Sequence, residues 1–124
     1  MPAMKQCLVV DDSKMIRRVA GRILKDLNFE TQEAENGKEA LDMCKAEMPD
    51  AILLDWHMPV MDGLSFLKAL REEPKAKEPV VVFCTAERDV DKIIEALDAG
   101  ADEYVMKPFD SDIIESKFSQ AGLL

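Results

Sequence analysis

Five residues that can do chemistry stand at the ends of short apolar segments. They are Asp11, Asp12, Asp55, Thr85 and Lys107. Short apolar segments bounded by turn residues are typical of buried strands. The carboxyl ends of parallel strands meet at one edge of a sheet, where ligands of open α/β sheets bind. The sequence therefore predicts one site that contains three carboxylates, a hydroxyl and an ammonium group.

Three carboxylates at such a site need positive charge. Each pair costs about 4 kcal/mol at roughly 4 Å and an effective dielectric constant of about 20. Lys107 supplies one charge, and a divalent cation would supply the rest. All-oxygen ligands favour Mg²⁺, with Mn²⁺ as a substitute, over Zn²⁺. A metal, a lysine and a threonine hydroxyl around one aspartate are the parts that phosphoryl transfer to a carboxylate requires.

The elements that position these residues are predicted to be five strands alternating with five helices. The strands are expected at 5–10, 30–34, 51–55, 80–84 and 102–106. The helices are expected at 14–27, 38–47, 64–73 and 90–99, with a last one capped by Asp110 or Ser111. This alternation predicts one doubly wound α/β domain over 1–124, with a parallel sheet between two helical layers.

Apolar spacing also predicts which helix faces are buried. In the first helix the predicted inner residues are Ile16, Val19, Ala20, Ile23 and Leu27. In the fourth they are Val90, Ile93, Ile94 and Leu97, and in the fifth Ile113, Ile114 and Phe118. Gly21, inside the first helix, predicts close packing at that point, because glycine otherwise weakens a helix.

Composition narrows the function classes. The 124 residues are 48% hydrophobic and carry a net charge of −9, which indicates a globular domain and disfavours direct nucleic-acid binding. No apolar run approaches the roughly 18 residues of a membrane span, and the N-terminus lacks a signal-peptide core. Cys7, Cys44 and Cys84 form no metal-binding pattern. We expect three reduced, mostly buried thiols in a cytoplasmic protein.

The chain resembles response-regulator receiver domains over its whole length, and most of all the stand-alone, CheY-like chemotaxis regulators. Four motifs carry the resemblance: Leu8-Val9-Val10-Asp11-Asp12-Ser13, Leu54-Asp55-Trp56-His57-Met58-Pro59 with Asp62-Gly63, Thr85-Ala86, and Tyr104-Val105-Met106-Lys107-Pro108-Phe109. Each motif is weak alone, whereas all of them in this order are highly specific. The resemblance implies a flavodoxin-like (βα)5 fold with sheet order 2-1-3-4-5.

The resemblance also implies roles for the acidic residues. Asp55 would accept a phosphoryl group from a partner histidine kinase. Asp11, Asp12 and Asp55 would bind Mg²⁺, with the backbone carbonyl of His57 as a further ligand. Trp56 is expected in the loop beside the metal. Asp62 is expected to be a turn residue without a catalytic role.

The remaining implied roles concern contact with the phosphoryl group and switching. Thr85 and Lys107 would contact the phosphoryl oxygens, and the bond from Lys107 to Pro108 would be cis. Tyr104 would be the switch aromatic that moves inward as Thr85 shifts. The side chain of His57, together with Glu87, would flank the entry path of water and influence how long the phosphoryl group persists.

Simpler interpretations exist for each residue. Asp11 and Asp12 could cap a helix, Thr85 could cap a loop, and Lys107 could be a structural partner of Asp55. Tyr104 could be an ordinary half-exposed strand residue.

At the level of function, we expect a monomeric signalling switch rather than a metabolic enzyme, with no attached output domain. Its target would be a flagellar motor switch protein or another protein, or it could be a phosphate sink. A flavodoxin-like electron carrier would need a Ser/Thr/Gly-rich loop after the first strand. An aspartate-nucleophile phosphohydrolase would need DxDx[TV] there, and neither sequence is present.

Overall fold

Strands and helices alternate in the computed structural model, which describes residues 4–73, 79–86 and 90–124. The strands are β1 (Lys5–Val10), β2 (Phe29–Ala34), β3 (Ala51–Leu54), β4 (Val80–Thr85) and β5 (Glu103–Met106). The helices are α1 (Lys14–Asp26), α2 (Gly37–Ala46), α3 (Gly63–Arg71), α4 (Val90–Asp98) and α5 (Ser111–Gln120). Every strand pair is parallel, in the order β2-β1-β3-β4-β5. The predicted α/β fold and sheet order are confirmed.

The central strand β3 is buried on both faces because apolar side chains alternate between two cores. Ile52 and Leu54 lie in one core with Phe66 of α3. Leu53 lies in the other core with Phe118 of α5. All of these side chains are nearly inaccessible to solvent. The position of β3 at the centre of the sheet therefore anchors the loop that begins at Asp55.

Side-chain oxygens cap the N-termini of four helices. Ser13, Asn36, Asp62 and Asp110 each accept a hydrogen bond from the backbone amide three residues later. Ser13 caps α1, and of the two candidates for α5 it is Asp110 rather than Ser111 that caps the helix. Each cap stabilises its helix by about 1 kcal/mol. Asp62 therefore has a structural role at the start of α3.

The prediction for the inner face of α1 is wrong in part. Val19 is 45% exposed, whereas Leu24 and Arg17 are buried. Gly21 does not mark close packing, because a Cβ placed there would lie 4.0 Å from its nearest neighbour, the hydroxyl of Thr31. Apolar spacing locates a stripe on a helix, but the neighbouring elements decide how the helix is rotated against them.

The predictions for α4 and α5 also need correction. Val90, Ile94 and Leu97 are 65%, 49% and 42% exposed, and the buried residue of α4 is Ala96. In α5, Ile114 and Phe118 are buried as expected, but Ile113 is 39% exposed. The described part of the chain places the small side chain of Ala96 against the sheet and leaves much of the apolar stripe of α4 in solvent.

Several smaller predictions can be compared with the structure. The three cysteines are free and buried, as expected, and burial raises the pKa of each thiol to about 12. The bond from Lys107 to Pro108 is cis, as the resemblance implied. Among the described residues, no helix is both long and apolar enough to span a membrane. The loop residues 87–89, including Glu87, and most of the connector after the third helix lie outside the described residues.

Candidate functional site

Three carboxylates meet where β1 and β3 end. Val10 and Leu54 are paired in the sheet, and the amide of Asp55 donates a 2.9 Å hydrogen bond to the carbonyl of Val10. Asp11, Asp12 and Asp55 each contribute an oxygen, and these oxygens lie within 4.8 Å of one another. Asp11 and Asp55 are buried, whereas Asp12 is exposed. The cluster is therefore in contact with solvent at Asp12.

Lys107 reaches this cluster from the end of β5. Its ammonium nitrogen lies 2.7 Å from Oδ2 of Asp11 and 3.2 Å from Oδ1 of Asp55. Its backbone amide donates a 3.0 Å hydrogen bond to the carbonyl of Thr85, which holds the end of β5 to that of β4. The long lysine side chain therefore crosses β4, the strand between β5 and β3.

Burial and mutual charge shift the pKa values of two site residues. Burial and the nearby charge of Asp11 raise the pKa of Asp55, against the opposing effect of Lys107. Burial alone would lower the pKa of Lys107, but hydrogen bonds and attraction from Asp11 and Asp55 raise it overall. Lys107 is therefore protonated at neutral pH, and one ammonium faces three carboxylates.

The donor chemistry of this cluster fits a divalent cation. Three carboxylates and one ammonium leave an excess of two negative charges when all are ionised, and each candidate ligand atom is an oxygen. Hard oxygen ligands with this charge are compatible with Mg²⁺. The loop after Asp55 is also held closely, since a Cβ at Gly63 would collide with the carbonyl oxygen of Asp55.

Thr85 and Tyr104 lie where the sequence placed them, on neighbouring strands. Thr85 is the last residue of β4 and is 1% exposed. Tyr104 lies in β5, opposite Phe83, and its partly buried ring packs against the core under α3 and α4. Thr85 and Tyr104 thus lie on adjacent, directly paired strands.

Trp56 lies in the loop that follows β3, directly after Asp55, as the sequence predicted, but its side chain points into the core. It is 5% exposed and belongs to the core, with its ring centroid 5.0 Å from that of Phe83. The ammonium of Lys92 in α4 lies 5.6 Å from the same ring. His57, the next residue, is exposed. Because Phe83 offers a large apolar contact, the indole turns inward while the imidazole stays at the surface.

The sequence reasoning missed Arg17, a buried cation next to the carboxylates. Its Nη1 donates a 2.7 Å hydrogen bond to the backbone carbonyl of Asp11, and its Nε contacts Glu33 at 2.9 Å. One signal could have revealed it, because Arg17 shares a helical face with Ala20 and Leu24. A cation on the buried face of a helix, near acidic residues at a strand end, indicates a specific partner.

The chain was compared with protein families and with curated relatives. The model of the family "Response regulator receiver domain" matches residues 7–119. The chain is 40% identical to chemotaxis protein CheY of Pseudomonas aeruginosa over 114 residues, which cover 91% of this chain and 92% of the relative. It is also 40% identical to chemotaxis protein CheY-3 of Vibrio cholerae, over 91% of this chain and 88% of that protein.

Solved structures show the same relationship. Chemotaxis protein CheY4 of Vibrio cholerae superposes with a TM-score of 0.88 at 33% identity, covering 98% of this chain and all of that one. A Francisella response-regulator receiver domain superposes with a TM-score of 0.83 at 32% identity, covering 96% and 94% of the two chains. By family match, sequence identity and fold, this chain belongs to the response regulator receiver domain family.

Proposed function

We propose that this protein is a response regulator of a two-component phosphorelay, with Asp55 as the phosphoryl acceptor. One observation carries the proposal: Asp55 lies beside two other carboxylates and within 3.2 Å of the ammonium of Lys107, in a chain of the receiver family. The donor would be a phosphohistidine of a partner histidine kinase. The P–N bond breaks, a P–O bond to the Asp55 carboxylate forms, and the histidine nitrogen takes up a proton.

Asp11, Asp12 and Asp55 are the proposed ligands of Mg²⁺, with the backbone carbonyl of His57 as a fourth. Their support is the cluster of carboxylate oxygens within 4.8 Å. When bound, the metal supplies positive charge for the transferring phosphoryl group, and Mn²⁺ would serve as a substitute. Asp11 and Asp55 are buried, so their carboxylates are held in place rather than free to rotate in solvent.

Lys107 and Thr85 are the proposed contacts of the phosphoryl oxygens. Phosphorylation of Asp55 adds oxygens that carry about −1.5 to −2 charge. Lys107 already lies between Asp11 and Asp55, so a short movement brings its ammonium to these oxygens. The hydroxyl of Thr85, at the end of the next strand, would donate to another of them.

The proposed switch passes from Thr85 to Tyr104 and then to the surface. A shift of Thr85 towards the phosphoryl group would leave space that the Tyr104 ring fills. The exposed apolar residues Val90, Ile94 and Leu97 of α4 then give a partner an apolar surface to bury. For near-complete switching, the phosphoryl group must favour the active state by about 5.5 kcal/mol.

The proposed output is chemotaxis, through a flagellar motor switch protein, and its support is the two 40% identical relatives that are named chemotaxis proteins. The protein would act as a signalling switch in the cytoplasm, which suits its three free thiols. A phosphate sink that drains the kinase without a target is the second candidate. Binding of the phosphorylated protein to a peptide from the motor switch separates the two.

The test of the site is labelling by a radioactive phosphodonor in Mg²⁺, with the parent protein and two variants. Asp55→Asn should abolish labelling. Asp62→Asn is the matched control, because Asp62 lies in the same loop, caps α3, and can be replaced by another good capping residue. It should label like the parent. Persistent labelling of Asp55→Asn would contradict the proposal that Asp55 is the phosphoryl acceptor.

Two further observations separate the proposal from other uses of this fold. A purified protein with a bound flavin would be coloured and would support an electron carrier. Sustained turnover of a phosphomonoester would support a phosphohydrolase. A response regulator should be colourless and should release about one phosphate for each phosphorylation by its kinase.

A further inference from the structure

We propose that Arg17 is a positioning residue that holds Asp11 in the orientation required for metal binding and phosphorylation. The inference rests on the function proposed above. Arg17 has no place in that mechanism, and its described contacts are with the backbone carbonyl of Asp11 and with two glutamates, Glu33 and Glu35. Its side chain is 8% exposed, which is unusual for a cation.

The guanidinium of Arg17 makes contacts in two directions. On one side, Nη1 donates a 2.7 Å hydrogen bond to the backbone carbonyl of Asp11. On the other, Nε contacts Oε1 of Glu33 at 2.9 Å, and Nη2 lies 3.8 Å from Oε1 of Glu35. Glu33 lies in β2 and Glu35 follows its last residue. Arg17 therefore ties the carbonyl of Asp11 to the edge strand of the sheet.

Each polar group of Asp11 has a described partner, and these partners hold the residue from different directions. Its amide donates to the carbonyl of Ala34 at 3.1 Å. Its carboxylate accepts from the amide of Ser13 at 2.9 Å and from Lys107 at 2.7 Å. Arg17 binds the carbonyl. Without this donor, the buried carbonyl must find another partner, and a rotated peptide plane would carry the carboxylate away from its present orientation.

Packing alone does not explain an arginine at this position. A buried ion pair contributes little to stability in comparison with apolar side chains of similar volume. The neighbouring buried residues of the same face are Ala20 and Leu24, so an apolar residue would suit the local environment. The planar fork of arginine fixes its donors in two directions at once, one towards the carbonyl and the other towards a carboxylate. The position of Asp11 is what this fork determines.

The test compares three variants of the protein. Arg17→Gln removes the fork, and Arg17→Lys keeps a charge that can serve one of the two directions. Arg71→Gln is the matched control, because Arg71 also donates to backbone carbonyls, those of Gly100 and Pro79. Arg71 is not part of the proposed metal site. The first readout is the Mg²⁺ dissociation constant by calorimetry. The second is hydrogen exchange of the Ser13 amide, measured without metal.

Partners that orient metal ligands typically change affinity by about 10-fold to 100-fold. Because Arg17 acts through the backbone of Asp11, we expect a Mg²⁺ dissociation constant about 10-fold higher in Arg17→Gln. Arg17→Lys should fall between this variant and the parent, and Arg71→Gln should match the parent within twofold. The Ser13 amide, which donates to the carboxylate of Asp11, should exchange fastest in Arg17→Gln, at an intermediate rate in Arg17→Lys, and at the parental rate in Arg71→Gln.

The inference is overturned if Arg17→Gln and Arg71→Gln lose stability while both keep the parental Mg²⁺ affinity and Ser13 exchange rate. If Arg17→Gln does not fold, Arg17→Lys decides, and parental values of both quantities in that variant contradict the role. If the parent itself binds no Mg²⁺, the proposed function fails. The Ser13 exchange rate still tests Arg17 in that case, because it needs no metal.

Discussion

The ammonium of Lys107 lies closer to Asp11, at 2.7 Å, than to Asp55, at 3.2 Å. In this arrangement the lysine neutralises the charge of Asp11 more directly than it neutralises the charge of Asp55, the proposed phosphoryl acceptor. Mg²⁺ and Lys107 would therefore compete for the charge of Asp11. Metal binding would leave the lysine available for Asp55 and for the phosphoryl group that Asp55 receives.

This competition predicts the effect of Lys107→Met, which keeps most of the side-chain length and removes the charge. The metal-binding cluster would lose one positive charge within 4 Å, so Mg²⁺ should bind at least about threefold more tightly. Phosphorylation should be slower, because a proposed contact of the phosphoryl oxygens is lost. Calorimetry with Mg²⁺ measures the affinity. Weaker binding in Lys107→Met would show that the lysine orders the carboxylates rather than competing for them.

The raised pKa of Asp55 predicts that Asp55→Asn stabilises the metal-free protein at pH 7. The folded state holds the proton more tightly than the unfolded chain does, so stability falls as the pH rises above the usual aspartate pKa of about 3.9. The loss is about 1.4 kcal/mol for each unit by which the pKa is raised. Asparagine removes this pH-dependent loss. The stability of Asp55→Asn relative to the parent should therefore grow as the pH rises from the usual aspartate pKa to the raised pKa of Asp55 in the folded protein.

Urea unfolding in EDTA at several pH values measures this difference. Well below the usual aspartate pKa, Asp55 is protonated in both the folded and the unfolded protein, so its titration should contribute nothing to the difference in stability. Added Mg²⁺ should stabilise the parent more than Asp55→Asn, since the variant lacks one proposed ligand. An Asp55→Asn protein that is no more stable than the parent in EDTA at pH 7 would contradict the expected destabilisation of the folded state by the ionised Asp55 carboxylate.

Trp56 is expected to report metal binding. It is the single tryptophan of the chain, follows Asp55 directly, and is 5% exposed in contact with Phe83. A divalent ion beside Asp55 would change the electric field at the indole, so its fluorescence should change with Mg²⁺ and saturate. Asp12→Ala should remove the response, while Asp62→Asn should retain it. A saturating response in Asp12→Ala would place the metal elsewhere.

The exposed stripe of α4 predicts a variant that separates phosphorylation from output. Ile94 is 49% exposed, so Ile94→Glu should leave stability and Mg²⁺-dependent phosphorylation unchanged. A charge in a desolvated interface should weaken binding of the phosphorylated protein to its target at least about tenfold. Val19→Glu is the control, because Val19 is similarly exposed at 45% on the opposite side of the sheet. Equal loss of binding in both variants would contradict a specific α4 surface.

Helix faces show how far local patterns predict the fold. The alternation of apolar segments was enough to predict ten elements and a parallel sheet. The spacing of apolar residues that distinguishes a strand from a helix involves only residues close together in the sequence. It was not enough to predict that Val19, Val90, Ile94 and Leu97 are exposed. Burial of a helix depends on which element lies across from it, and that element is distant in sequence.

The residues that stand at the ends of four strands could be read directly from the chain: Asp11 and Asp12, Asp55, Thr85 and Lys107. Their convergence follows from topology, because parallel strands end at one edge. Three features became known only from the folded protein: Lys107 is closer to Asp11 than to Asp55, Trp56 is buried, and Arg17 binds the carbonyl of Asp11. These facts depend on side-chain conformations, which are set by close packing between segments far apart in the chain.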